Sequence, residues 1–155
     1  MKELKGSATT AIEATPEECI ATLAAVDRYP IWYPDIIREV EVLERNPDGM
    51  PLRARTTVHL AAGPLANDFH FDVTVKVQRS SVVLTRVPHA PSDPERLEIR
   101  WRVKPRQLGV ELAARLEVPR FLPIGGVGES VAQGFVEAAR RVLDGSRSNA
   151  AASSS

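Results

Sequence analysis

The chain is poor in the features that announce a redox site, a membrane segment or a nucleotide loop. It has one cysteine, Cys19. A single thiol forms no internal disulfide and is too little for a zinc site. No apolar run approaches the ~18 residues that a membrane span requires. The run Gly125-Gly126-Val127-Gly128 follows a proline-rich loop rather than a strand of a βαβ unit, so it is no phosphate-binding loop. An excess of one charge sign is missing too. Lys plus Arg and Asp plus Glu are both 20, and the net charge is zero. A balanced chain has no general pull toward nucleic acid or an anionic membrane. Residues 1–6 are polar and charged, without the apolar stretch of a signal peptide, so a cytoplasmic location without stable membrane insertion is expected. No cofactor, no metal and no nucleic-acid partner is expected.

What is present is ordinary globular material. Hydrophobic residues make up 43% and charged residues 26% of 155 positions, enough for one domain with its own core. Residues 1–145 are expected to form it. Residues 146–155 are Ser, Ala and Asn with one arginine, and a disordered tail is expected there.

The order of elements is legible from periodicity. Residues 4–12 read as a first strand. Thr15, Pro16 and Glu18 then form a helix start, with an N-cap, a proline in the first turn and a capping box. That helix runs through Cys19, Ile20, Leu23, Ala24 and Val26 and ends at Asp27-Arg28-Tyr29-Pro30. A second short helix is expected over 31–36. From Ile37 the period changes to two. Six strands are expected, near 37–42, 52–60, 69–77, 82–87, 97–104 and 109–118, with turns at Asn46 to Gly49 and at Gly63-Pro64. Alternation over so many segments means one antiparallel sheet with an apolar and a wet face. Then Val127, Val131, Phe135, Ala138 and Val142 recur at helical spacing, with Glu137 and Arg141 placed as an (i, i+4) pair and Gly145 as the stop. The fold class expected is α+β: a seven-stranded curved sheet wrapped around the long C-terminal helix, with two short helices between strands one and two.

Three stretches carry a family resemblance: Ile12-Glu13-Ala14-Thr15-Pro16-Glu17-Glu18, then Ala25-Val26-Asp27-Arg28-Tyr29-Pro30-Ile31-Trp32-Tyr33-Pro34-Asp35, then Val40-Glu41-Val42-Leu43-Glu44-Arg45. They resemble the N-terminal half of the SRPBCC, or START-like, proteins, which include polyketide cyclase/dehydrases and lipid-transfer domains. The element order matches over about residues 4–144. The resemblance implies a helix-grip fold and a cavity between the sheet and the C-terminal helix.

The strand register gives that space a lining. With the Gly63-Pro64 hairpin centred between Pro64 and Leu65, Val58 faces Phe71 and Leu60 faces Phe69. The inner face then carries Ala54, Thr56, Val58 and Leu60, with Phe69, Phe71, Val73 and Val75. Leu97, Ile99, Trp101 and Val103 follow, with Val110, Leu112 and Leu116. The helix adds Val127, Val131, Phe135 and Ala138. The candidate ligand-binding residues are Trp32, Tyr33, Thr56, Val58, Leu60, Phe69, Phe71, Val73, Ile99, Trp101, Leu112, Phe121, Val127, Val131 and Phe135. Alternation reports burial alone, so these residues either line a cavity or fill a solid core. Three loops, at 61–66, 88–94 and 119–126, share one end of the meander and carry Leu65, Phe121, Leu122 and Ile124. They form a mouth or a plug. Gly134, in mid-helix, leaves room for Trp32 or marks a bend.

Catalytic groups are scarce in this register. Thr56 is the main inward polar residue, and no catalytic residue is assigned. Tyr33, Arg86 and His89 are placed to reach the mouth as polar anchors. His59 and His70 are expected to oppose each other on the outer face with Asp72 nearby, a candidate zinc trio. Arg100, Arg102, Lys104 and Arg115 form a basic stripe diluted by Glu98, Glu111 and Glu117. The reading that results is a carrier or sensor of a hydrophobic small molecule: a lipid, fatty acid, quinone or polyketide-like compound. An aromatase/cyclase-type enzyme and a protein- or ribosome-interaction module are the alternatives. The oligomeric state stays open.

Overall fold

The computed structural model describes the backbone of residues 1–153 and the side chains of residues 1–145. Strand β1 (Lys2–Ala11) leads into α1 (Pro16–Ala24). Thr15 caps α1 as expected. Its hydroxyl accepts from the Glu18 N–H at 3.2 Å, and the Glu18 carboxylate accepts from the Thr15 N–H at 3.5 Å. A 3-10 turn (Val26–Arg28) and a one-turn α2 (Tyr29–Trp32) follow. α2 begins before the expected 31–36 segment, because proline is tolerated in the first turn of a helix and Pro30 occupies that place rather than marking a boundary.

The strands β2 (Ile37–Arg45), β3 (Pro51–Ala62), β4 (Leu65–Val77), β5 (Ser81–Arg86), β6 (Arg96–Lys104) and β7 (Gln107–Leu116) complete one seven-stranded sheet. Its order is β1-β7-β6-β5-β4-β3-β2, and every neighbouring pair is antiparallel. β7 starts earlier than the expected 109–118 because a two-residue turn, Pro105-Arg106, joins it to β6. Arg106 takes a left-handed φ of 64°, the conformation that the second position of such a turn requires.

The β3–β4 hairpin is centred one residue earlier than expected. Gly63, at φ 61°, opens a two-residue turn, and Ala62 pairs with Leu65. A positive φ at the first turn position, followed by proline, matches the twist of the flanking strands. Val58 therefore faces Phe69, Thr56 faces Phe71, and Leu60 faces Asn67. The pairing slips by two residues, so the expected inner and outer faces stand unchanged.

Helix α3 (Val127–Ser153) lies across the concave face, chiefly on β1 and β7. It passes through Gly145, which does not take the left-handed conformation of a helix stop. The side chains of the expected tail 146–155 lie outside the described residues. Glu137 accepts from Gln133 at 3.0 Å and makes no ion pair with Arg141 among the described residues.

Candidate functional site

Inner-face alternation points a column of side chains from each strand at α3. Phe135, on the buried face of that helix, is the hub of the interior. Its ring centroid is 5.2 Å from Trp101 on β6, 4.7 Å from Tyr33, 5.8 Å from Tyr29 and 6.0 Å from Trp32. These tilted and edge-on contacts suit the ring quadrupole. The half of the interior nearest α1 is solid. Trp101 and Leu108 are 0% exposed, and Val82, Val110, Cys19 and Leu23 are equally enclosed.

The other half is buried as well: Leu97, Leu112 and Ala114 on β6 and β7 keep 8% exposure, Val131 on α3 keeps 7%, and all belong to the same core. This half lies under the three loops at 61–66, 87–95 and 117–126, which the antiparallel order brings to one end. Phe121 and Leu65 are exposed on those loops, while Leu122 is buried. A turn closed by the Leu122 N–H to the Pro119 carbonyl at 3.0 Å directs Leu122 inward and leaves Phe121 outside.

Among the described residues, Thr56 and Arg86 are buried polar side chains of this interior besides the tyrosines. Thr56 spends its hydroxyl on the Phe71 carbonyl at 3.1 Å. Arg86 pairs across β4 and β5 with the inward-facing Val73, and its side chain is 3% exposed. It donates to Asp93 Oδ2 at 2.8 Å and to the Glu95 carbonyl at 3.0 Å. Asp93 also accepts from the His89 and Glu95 N–H groups, each at 3.0 Å. The Arg86 hydrogen bond, helped by these two backbone N–H groups, holds the Asp93 carboxyl well below the usual carboxylate range. The Glu95 carboxylate ties the same loop to β7 by accepting from the Glu117 N–H at 2.9 Å.

The tyrosines are engaged as well. Tyr29 donates to the Leu23 carbonyl at 2.6 Å, and burial pushes its pKa up. Tyr33 donates to the Val131 carbonyl at 3.1 Å. Its pKa is pushed up to about 12 by burial, with the charges of Asp35 and Glu137 adding to it. The indole Nε1 of Trp32 is buried without a hydrogen-bond partner.

Of the expected site residues, Trp32, Tyr33, Trp101 and Phe135 meet in the aromatic cluster, with Val131 on the same helix. Thr56, Val58, Phe69, Phe71 and Val73 stand together on β3 and β4, where the Phe69 and Phe71 rings stack at 6.1 Å. Leu60, Ile99 and Leu112 are buried on the inner face, and Val127 is half-buried at the start of α3. Phe121 does not join them. Tyr29 belongs to the interior without having been expected there, and Leu122 takes the plug alternative. Tyr29 is read as a helix end because its signal is the adjacent proline. Arg86 lies deeper than a rim residue, since Val82, Leu84 and Arg86 share the inner face. Val83 is also buried, and this blurs the alternation of β5.

The outer face holds one correction, at the histidines. His59 opposes Asp68, at 2.6 Å between Nδ1 and Oδ1, and His70 opposes Thr57. The shifted hairpin separates the two imidazoles, and Asp72 is taken by Arg55 at 3.0 Å and Arg53 at 3.5 Å. In the basic stripe Arg100 pairs with Glu98 at 3.0 Å and Arg102 with Glu111 at 2.9 Å, which cancels much of its field. A solvent-open groove of about 890 Å³ crosses this face, lined by Lys5, Arg96 and Arg115 interleaved with Glu3 and Glu98. Among the described residues, no helix is long and apolar enough to cross a membrane.

Known structures share this architecture. A START superfamily protein from Mycobacterium smegmatis aligns with a TM-score of 0.66 at 18% identity, covering 91% of this chain and 97% of that one. The ginseng major latex-like protein 151 from Panax ginseng aligns at 0.60 with 11% identity, covering 92% and 96%. The Zhui aromatase/cyclase from Streptomyces sp. R1128 aligns at 0.56 with 15% identity, covering 92% and 94%. No curated protein matches the chain. At these identities the likeness speaks for the fold alone. The model of the family described as polyketide cyclase / dehydrase and lipid transport matches residues 12–141. With the sheet, the gripped helix and this match in agreement, the chain belongs to the polyketide cyclase/dehydrase and lipid transport family.

Proposed function

We propose that the chain binds and carries an apolar small molecule in its interior, between the sheet and α3. The observation that carries this reading is the continuous apolar core that Leu97, Ile99, Leu112 and Ala114 of the sheet form with Val131 and Phe135 of α3, over the aromatic floor, in a chain of the family described as polyketide cyclase / dehydrase and lipid transport. The floor sets the depth of the site, and the three loops form its rim. Burial of the ligand's apolar surface drives binding at ~25 cal/mol per Å².

The chemistry of the walls favours a carrier over a cyclase. General acid–base catalysis needs a group titrating near neutral pH within reach of the substrate. Here the Thr56, Tyr29 and Tyr33 hydroxyls each donate to a backbone carbonyl, and burial holds both phenols well above neutrality. His89, the nearest imidazole on the rim, is exposed.

The deciding experiment is native mass spectrometry of the purified chain, with organic extraction of what it carries. A stoichiometric apolar compound supports the reading. A bare chain that also fails to take up an uncharged apolar dye sinks it.

A further inference from the structure

The outer face of the sheet pairs most of its arginines. Arg53 and Arg55 share Asp72, Arg100 takes Glu98, and Arg102 takes Glu111. Arg96 and Arg115 depart from this pattern. They stand directly opposite each other on β6 and β7, where like charges destabilise a sheet. Neither makes an ion pair among the described residues. Glu98 follows Arg96 on the same face of β6, yet its carboxylate turns to Arg100 at 3.0 Å. Glu3 opposes Arg115 from β1 without closing to an ion pair. Lys5, opposite Ala113 on the same two strands, has no carboxylate partner among the described residues either. Cations from three adjacent strands are left unpaired in one place.

That place is concave. All three cations line the groove of about 890 Å³, a volume within the ~300–1,000 Å³ range of small-molecule sites. The groove is deep because small residues, Ala113 and Thr85, alternate with Lys5 and Glu98 in one row across the strands. Pro88 and Pro94, from residues 87–95, wall one side. That segment is braced by the Arg86–Asp93 pair at 2.8 Å and by the Glu95 carboxylate on the Glu117 N–H at 2.9 Å. Unpaired cations beside small and apolar walls suit an anion carried on an apolar body. Two guanidinium forks and an ammonium hold more N–H donors than the two oxygens of a carboxylate accept, and the three terminal oxygens of a phosphate monoester match them better.

We propose that this groove, on the opposite face of the sheet from the interior, binds a soluble organic phosphate. Arg96, Arg115 and Lys5 hold the phosphate, and Ala113, Pro88 and Pro94 take its apolar body. The carboxylates of Glu3, Glu95 and Glu98 around the groove disfavour an extended anionic membrane as the source of that phosphate.

The test is calorimetry on the full chain at low salt with 1-naphthyl phosphate, compared with 1-naphthoate, inorganic phosphate and 1-naphthol. The naphthyl phosphate is expected to bind about tenfold more tightly than the naphthoate or inorganic phosphate, the weight of one hydrogen bond between charged groups. Arg96→Gln combined with Arg115→Gln is expected to weaken it at least about tenfold and to leave 1-naphthol unchanged. Glu3→Gln, which removes a carboxylate, is expected to strengthen it about threefold, and this variant decides the matter should the double variant fail to fold. The naphthyl phosphate is also expected to raise the Tm of the wild type and not that of the double variant. Equal binding of naphthoate and naphthyl phosphate overturns the choice of phosphate. An affinity unmoved in the charge variants, or a parallel loss of 1-naphthol, overturns the site. Vesicles of phosphatidylcholine and phosphatidic acid that sediment the wild type and not the double variant overturn the soluble ligand in favour of a membrane.

Discussion

The Tyr33 hydroxyl occupies the space that a side chain at Gly134 would fill. It reaches across from the end of α2 and donates to the Val131 carbonyl of α3 at 3.1 Å, and a Cβ built on Gly134 would collide with that hydroxyl. The glycine costs α3 roughly 1 kcal/mol of helix propensity. The close approach of the Tyr33 ring to Phe135, at 4.7 Å between centroids, is what the glycine permits.

Gly134→Ala should therefore destabilise the chain in spite of alanine's better helix propensity. Overpacking costs about 1–3 kcal/mol, against the roughly 1 kcal/mol gained. Urea unfolding gives the number. Adding Tyr33→Phe, which removes the colliding oxygen, should recover part of the loss. A double variant no better than the sum of the singles would separate the two residues energetically.

Ala114→Phe tests the proposed interior site. If the space in front of Ala114 is free, the larger ring enters at a cost of under about 1.5 kcal/mol, the range for well-tolerated core changes. Dye uptake should fall at least about tenfold, because the ring displaces the ligand. A loss of ~3 kcal/mol, at the top of the overpacking range, would show that the site was already filled.

Asp93 makes stability depend on acid in a stated direction. Its folded pKa is depressed, first by the Arg86 hydrogen bond, so its contribution is present above the ordinary carboxylate range near pH ~4 and is lost as pH falls below it. Asp93→Asn should lower the Tm by several degrees at neutral pH. The gap to wild type should narrow steadily below pH ~4. A gap that is constant with pH would mean that the carboxylate's charge plays no part.

Cys19 should behave as an inert core thiol. It is fully enclosed in α1, and burial, with Asp144 and Glu18 adding to it, pushes its pKa up to about 11. A thiol reagent at neutral pH should label it only after denaturation. Labelling of the native chain at the rate of a free thiol would show that α1 opens.

The strands were legible because alternation survives in each of them. Val73 and Val75 against Thr74 and Lys76 need no tertiary information to be assigned to faces. The capping box at Thr15 and Glu18 and the apolar arc through Val131, Phe135 and Ala138 were local signals of the same kind. The site was legible only as a set of inward positions. Periodicity says which way a side chain points and nothing about what it meets.

Three features were decided only by the assembled structure. The hairpin centre was one, since the pattern of faces is the same for registers two residues apart. The choice between Gly63 and Pro64 as the first turn residue moved His70 away from His59 and set it beside Thr57. The partner of Gly134 was another. It is Tyr33 rather than Trp32, because α2 begins at Tyr29 and that start sets which ring meets α3. The last was the place of Arg86. Its sequence neighbours suggest a strand end at the rim, but the fold of residues 87–95 over it encloses the guanidinium with Asp93 and Glu95. The sequence by itself determined the faces, the order of elements and the family, because those follow from local periodicity and short motifs. Which residues meet across the interior follows from register and loop closure, and these are set by contacts between positions far apart in the chain.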